Sequence, residues 1–334
     1  MPETVSQSAS PGVQLIALCA QSLNEVVLCA PFIKTDAFRR VVESVPSEVT
    51  LHCITRWRPD EIAVGVSDLD VWPFLRDRGR SSLRLCANLH AKYYRADTNC
   101  LVGSANITAA ALGWAAQPNL ELLVPVSHEA QALTGFESQV FAVSAEVDDS
   151  IYEQMVDIVQ AISTQVQRLS CQLEPVGSID ASEENGLISQ PDPFWLPSLR
   201  NPEELFLAYA GRIDRLSAAS QEAGTDDLAA LVVTPGLPRE AFEAYVGGLM
   251  LQQPAIRKID VLVATPQRFG AVRDTIAAMV PEGRAAGFDA DRAWQTLMRW
   301  LRHFLPDRYG LSVPRHSEVF YRMRMGSNDE LRRR

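Results

Sequence analysis

Apolar and polar positions along the first third of the chain follow a pattern that predicts a layered α/β unit. "EVVLCAPFI", Glu25 to Ile33, is a near-continuous apolar run of the kind that forms a buried strand. "TDAFRRVVESV" follows, with Asp36 near a helix start and apolar residues at helical spacing, and "VTLHCITRW" then alternates like a second strand. Strand, helix, strand is a βαβ unit, so a parallel or mixed sheet covered by helices is expected. "NLELLVPVS" predicts a further strand. Beyond it Ile151, Met155, Ile158 or Val159, Ile162, Val166 and Leu169 recur at three and four residues. They form one apolar stripe on a long helix, suited to packing on its own domain or to a dimer seam.

The periodicity stops between Gln172 and Pro193, where "QLEPVGSIDASEENGLISQPDP" is rich in Pro, Gly, Ser and acids and reads as a linker. Past the aromatic-bearing "FWLPSLRNPEELFLAYAGRI", the pattern predicts strand, turn, helix and strand again in "LAALVVTPGLPREAFEAYVGGLM" and "IRKIDVLVATP". Three segments follow: an α/β domain over 1–171, a linker over 172–193 and a second α/β region over 194–334.

Composition narrows the class. At 334 residues, with 47% hydrophobic side chains, the chain is long enough for about two domains with sizeable cores. Its mean hydropathy of −0.04 fits a globular protein. No apolar run reaches a membrane span, no basic segment precedes the first apolar stretch, and a cytoplasmic location without membrane association is expected. The six cysteines include no C-x-x-C pair and read as small buried hydrophobes in a reducing compartment. The net charge of −10 argues against a surface that coats nucleic acid while leaving room for a local basic cleft.

The chemistry is concentrated in "LHAKYYRADTNCLVGSANITAAALGW", Leu89 to Trp114. On an extended strand residues two apart share a face, so His90 and Lys92 project together: a nucleophile or base beside a fixed cation. Asp97 is placed to form a salt bridge or to orient the neighbouring chain. "CLVGSAN" adds a short strand and a Gly-Ser turn that lets backbone approach an anion, and "ANITAAALGW" predicts a helix start whose N–H groups favour phosphate oxygens. Taken singly, each piece is most simply a packed histidine, a solvated lysine or an ordinary turn; together they suit a phosphate.

The pattern H-x-K-x-x-x-x-D followed by G-S-x-N resembles the catalytic motif of the phospholipase D superfamily, and the resemblance extends over about Val13 to Pro125. Between Asp97 and Gly103 the gap is one residue shorter than the commonest spacing, in a turn where a deletion is cheap. The resemblance implies a phospholipase D-like fold and a covalent mechanism at a phosphodiester: His90 attacks phosphorus, Lys92 and Asn106 hold the non-bridging oxygens, Ser104 assists, and Glu121 keeps the imidazole in the right tautomer. It implies neither metal nor cofactor.

Such chemistry requires a second histidine to protonate the leaving oxygen. His52 and His128 read as structural. The expected source is His90 of a second copy in a symmetric homodimer. The alternative is a degenerate repeat in the second half: Pro31, Ala37, Phe38 and Val42 correspond to Pro235, Ala241, Phe242 and Val246. In that repeat "RHSEVFYRMRMGSND" would put His316 and Glu318 where His90 and Lys92 stand, with Gly326, Ser327 and Asn328 trailing.

Nucleic acid is the favoured phosphodiester, DNA ahead of RNA, because arginines cluster at Arg56 and Arg58, at Arg76, Arg78, Arg80 and Arg84, and again from Asp291 to the end. There ten arginines against five acids give a net +5. The resemblance points to nucleases of bacterial restriction and phage-defence systems, with a partner ATPase or helicase among the expected partners. A phospholipid-hydrolysing enzyme and a non-catalytic nucleic-acid-binding scaffold are the competing expectations.

Overall fold

A computed structural model describes residues 9–170, 194–314 and 318–323, without the side chains of 164–170. The expected linker, His316 and the trailing Gly326, Ser327 and Asn328 lie outside the described residues. The chain divides into two compact units, Met1–Tyr152 and Glu153–Arg334.

The first unit runs α1 (Pro11–Ala20), β1 (Glu25–Cys29), α2 (Thr35–Val42), β2 (Thr50–Thr55), α3 (Pro59–Ala63), α4 (Val71–Arg78), β3 (Ser81–Leu85), β4 (Lys92–Ala96), β5 (Asn99–Gly103), β6 (Leu123–Ser127), α5 (Gln131–Val143) and β7 (Ala145–Glu146). Its seven strands form one mixed sheet in the order β6-β5-β4-β1-β2-β3-β7. β1, β2 and β3 are parallel, joined by helical crossovers, while β4, β5 and β6 meander antiparallel beside β1. This is the helix-flanked mixed sheet that the apolar pattern predicts.

Both faces of the sheet are covered, which is why β1 reads as an unbroken apolar run. α1, α2 and α4 lie on one face, where Leu15, Phe38, Val41 and Leu75 are buried. On the other face Val140, Leu133 and Phe136 of α5 pack on Val27, Cys29, Ile54 and Tyr93. His52 and His128 belong to this second face. His52 Nδ1 meets Ser82 Oγ at 2.7 Å and its Nε2 lies 3.3 Å from Glu25, while His128 meets the Tyr93 hydroxyl at 3.0 Å. Both have the structural surroundings expected of them.

α6 (Asp149–Ser170) carries the predicted stripe, with Ile151, Met155, Ile158 and Ile162 buried. The second unit then differs from its expected α/β pattern. It contains α7 (Leu205–Tyr209), α8 (Ala218–Leu231), α9 (Arg239–Met250), α10 (Pro254–Leu262), β8 (Gln267–Arg268), α11 (Phe269–Met279), α12 (Glu282–Ala285), α13 (Ala290–Phe304), β9 (Tyr309–Ser312) and β10 (Val319–Arg322). "LAALVV" ends a helix at Val232, in left-handed conformation, and "IRKIDVLV" is a helix with Pro254 at its first turn. Ahead of the segment matching "CAPFIKTDAFRRVV" the chain is therefore helical where the first unit has β1, the segment itself opens with a turn, and only its helical part corresponds. β8, β10 and β9 form a small antiparallel sheet in that order. Among the described residues no helix is long and apolar enough to cross a membrane.

Candidate active site

The antiparallel β4–β5 hairpin builds the site. Its register pairs Lys92 with Gly103 at one end and Ala96 with Asn99 at the other. The motif's two halves therefore meet at one end of the hairpin. His90 is not in the strand, which begins at Lys92; it lies exposed in the irregular segment just ahead of it. Lys92 reaches back, its Nζ donating to the His90 carbonyl at 2.8 Å. The ammonium bonds the histidine's backbone and its charge acts on the imidazole, although His90 precedes the strand on which the pair was expected to share a face.

Across the pairing, Gly103 allows β6 to approach: a Cβ there would stand 1.9 Å from the Leu122 carbonyl oxygen. Only glycine fits without moving backbone. That approach lets Ser104 N–H donate to Leu122 O at 3.0 Å and Ser104 Oγ accept Leu122 N–H at 3.1 Å. The same hydroxyl donates to Glu121, whose other oxygen accepts from Asn119 Nδ2 at 3.2 Å. Glu121 lies two residues ahead of β6. It holds Ser104 and Asn119 rather than the imidazole of His90, a departure from the tautomer-fixing role expected of it. Its charge acts instead on Lys92.

Asn106 is fixed from the segment that follows β1: its Oδ1 accepts the Phe32 N–H at 3.4 Å, which leaves its Nδ2 as the end that can donate. Beyond it Ile107 bridges Ile33. The expected helix start in "ANITAAALGW" is replaced by turns, with Gly113 at φ +78. Backbone donors there belong to turns and not to a helix N-terminus.

Asp97 is not brought to this cluster. It occupies the turn between β4 and β5 at φ +50, about 16 Å from Lys92 by strand rise. Its carboxylate accepts the N–H groups of Leu23, Asn24 and Glu25 at 2.7, 3.0 and 3.1 Å. Burial pushes its pKa up, but these bonds outweigh it and hold the carboxyl below its ordinary value. Asp97 orients the start of β1, at the far end of the hairpin from Lys92.

The electrostatics of the cluster favour a neutral imidazole. His90 is held below its ordinary pKa by the Lys92 charge, by burial and by Arg56. Lys92 is lowered by burial and by Arg56, against the opposing pull of Glu121. Arg56, singled out in the sequence only as part of a basic cluster, is therefore a resident of the site. Its Nη1 donates to the Leu89 carbonyl at 3.3 Å.

The arginines of the cluster Arg76 to Arg84 are committed elsewhere. Arg76 pairs with Asp149 at 2.9 Å, Arg78 donates to the carbonyls of Pro46 and Val49, Arg80 donates to Glu48 O, and Arg84 donates to Ser144 and Phe141. In the second unit Arg308 and Arg322, with Arg257, surround the fully buried Asp260, which also accepts from the Tyr309 hydroxyl. Of the C-terminal arginines, Arg292, Arg299 and Arg302 are exposed on α13, whereas Arg315, Arg324 and Arg332 to Arg334 lie outside the described residues.

Among the described residues no group of three His, Cys, Asp or Glu is arranged to hold a metal. What remains is an open cluster of one histidine, one lysine, a serine–glutamate pair and an amide at one end of a mixed α/β sheet.

Solved structures with some likeness to this chain include a phospholipase D family member. Nuc of Salmonella typhimurium, a phospholipase D family member, matches at 18% identity over 43% of this chain and 95% of its own, with a TM-score of 0.35. NucT from Helicobacter pylori matches at 15% identity over 43% of this chain and 86% of its own, with a TM-score of 0.31. Phosphatidylserine synthase of Haemophilus influenzae matches at 11% identity over 51% of this chain and 44% of its own, with a TM-score of 0.36. No family model and no curated protein matches the chain.

Proposed function

We propose that the chain is a phosphodiesterase of the phospholipase D type that cleaves nucleic acid through a phosphohistidine. The observation that carries the reading is the convergence of His90, Lys92, Ser104, Glu121 and Asn106 at one end of the hairpin, with the imidazole biased toward its neutral, nucleophilic form. An imidazole nitrogen of His90 forms the N–P bond as the P–O bond to the leaving oxygen breaks, and a second histidine gives that oxygen its proton. Water, losing a proton to the second histidine, then displaces phosphorus from His90. Lys92 and the Asn106 amide hold the non-bridging oxygens, where charge develops.

The second histidine is supplied by another copy of the chain. Leu120 and Leu122, on either side of Glu121, are exposed to 103% and 63%, an apolar surface at the site of the kind that pairs two copies. The same leucines favour one competing reading, a phospholipid headgroup approached from a membrane surface. Purified full-length protein on labelled single- and double-stranded DNA, RNA and phosphatidylcholine vesicles, each with and without EDTA, separates the two. Nucleic-acid cleavage that survives EDTA is expected. Vesicle hydrolysis without it would install the lipid reading, and binding without turnover would install the scaffold.

A further inference from the structure

Arg56 immediately follows β2, yet its side chain is fixed by three elements. Its Nε donates to Glu61 Oε2 at 3.0 Å and its Nη2 to the other carboxylate oxygen, so Glu61 on α3 grips the fork from both tines. Nη1 donates to Leu89 O, in the residue before His90. The guanidinium carbon lies 4.9 Å from the centre of the Phe32 ring, and the Phe32 N–H in turn donates to Asn106 Oδ1. Arg56 and Glu61 are 16% and 18% exposed, so the pair is shielded from solvent on most sides. A planar fork with its partners in place has little freedom left.

We propose that Arg56 is a positioning residue of the active site, holding the Leu89–His90 segment and the Phe32–Asn106 contact in one arrangement and keeping a fixed positive charge beside the attacking imidazole. This rests on the phosphodiesterase reading above. A lysine could supply the charge but not the bidentate grip of Glu61 together with the third donor to Leu89.

The charges that face His90 are Lys92, at the start of β4, and Arg56, from the end of β2. Glu121 acts on Lys92, while Glu61 pairs with Arg56 and is flanked by Arg58 and Asp60. Both charges disfavour the imidazolium. Their sign also suits an incoming phosphodiester anion, so one arrangement both frees the nucleophile and attracts its substrate.

The test reads His90 directly. In full-length protein with 13Cε1-labelled histidine, assigned with His90→Gln, His90 of the wild type is expected to titrate below 6.5, the ordinary imidazole value. In Arg56→Gln its titration is expected to move up by about half a unit or more. In Arg56→Lys, which keeps the charge, the titration stays near wild type, while kcat on bis(p-nitrophenyl) phosphate falls about tenfold with little change in KM because alignment is lost. An unmoved His90 titration in Arg56→Gln, or full kcat in Arg56→Lys, overturns the proposal. If Arg56→Gln loses its cooperative melt, Arg56→Lys alone carries the decision. If the wild type cleaves no phosphodiester, the functional reading falls, and the titration still decides whether Arg56 acts on His90.

Discussion

Ser104 donates its hydroxyl hydrogen to Glu121 and accepts the Leu122 N–H with the same oxygen, so the only donor of the G-S-x-N serine's side chain is engaged before any substrate arrives. Its carboxylate partner also bears on Lys92. Glu121→Gln is therefore expected to lower kcat about a hundredfold and Ser104→Ala about tenfold, both measured on one phosphodiester substrate. Small and equal effects would mean that the pair only fastens the turn before β6.

His90 is exposed at the mouth of the site and contributes little packing. His90→Ala should abolish turnover, by at least about a thousandfold, while moving stability by no more than about 0.5 kcal/mol. A large fall in melting temperature with activity retained would assign it a structural role.

The rate should depend on pH through His90 in a defined direction. Attack needs the neutral imidazole, and the neighbouring Lys92 charge, burial and Arg56 lower its pKa. The acid limb of kcat/KM should therefore have its midpoint below 6.5, with the rate rising as pH rises through it. A midpoint above that value contradicts the electrostatic picture.

Asp97 makes the opposite kind of prediction, a stability effect with no chemistry. Asp97→Ala leaves three N–H groups at the start of β1 without their acceptor and should cost about 1–2 kcal/mol in a denaturant melt. Because the folded-state pKa of Asp97 lies below its unfolded value, its contribution is present above the unfolded pKa and lost as pH falls through the folded one. The gap between wild type and Asp97→Ala should accordingly close in acid. Purified, folded Asp97→Ala should retain its kcat.

Gly103→Ala drives a Cβ into the backbone of Leu122. A loss of about 1–3 kcal/mol is expected, together with lower activity, because Ser104 and Glu121 are fastened on either side of that contact. A variant as stable and active as wild type would show that β6 can move aside.

Much of this was legible in the sequence because it is local. β1 is an apolar run and β2 an alternating one, each of strand length, and the motif's two halves announce themselves by residue type. Arg56 was legible only as one of a basic pair, since its role depends on a fold that places it against Leu89, 33 residues on. The cluster Arg76 to Arg84 misleads for the same reason: Asp149, which takes Arg76, is 73 residues away. In the second unit β-branched residues suggested strands. The spacing of Ala255, Ile256, Ile259 and Val263, all buried, is helical, and the helix prevails because it buries that stripe. Glu121 was found by position, but which group it holds is set by the close approach at Gly103.

The hairpin from Lys92 to Gly103 also limits how natural variation can reshape this protein. Alternation puts Lys92 and Tyr94 on one side of the sheet and Tyr93 and Arg95 on the other, where Tyr93 and Arg95 bond to Glu137 of α5. Inserting a single residue within β4 would turn Lys92 toward α5 and bring Tyr93 to the site. Evolution can therefore lengthen or shorten this arm only in pairs of residues, or by changes confined to the bend at Asp97 and Thr98. A length difference of one at that bend is silent for the chemistry 16 Å away by strand rise, whereas the same difference four residues earlier would erase it.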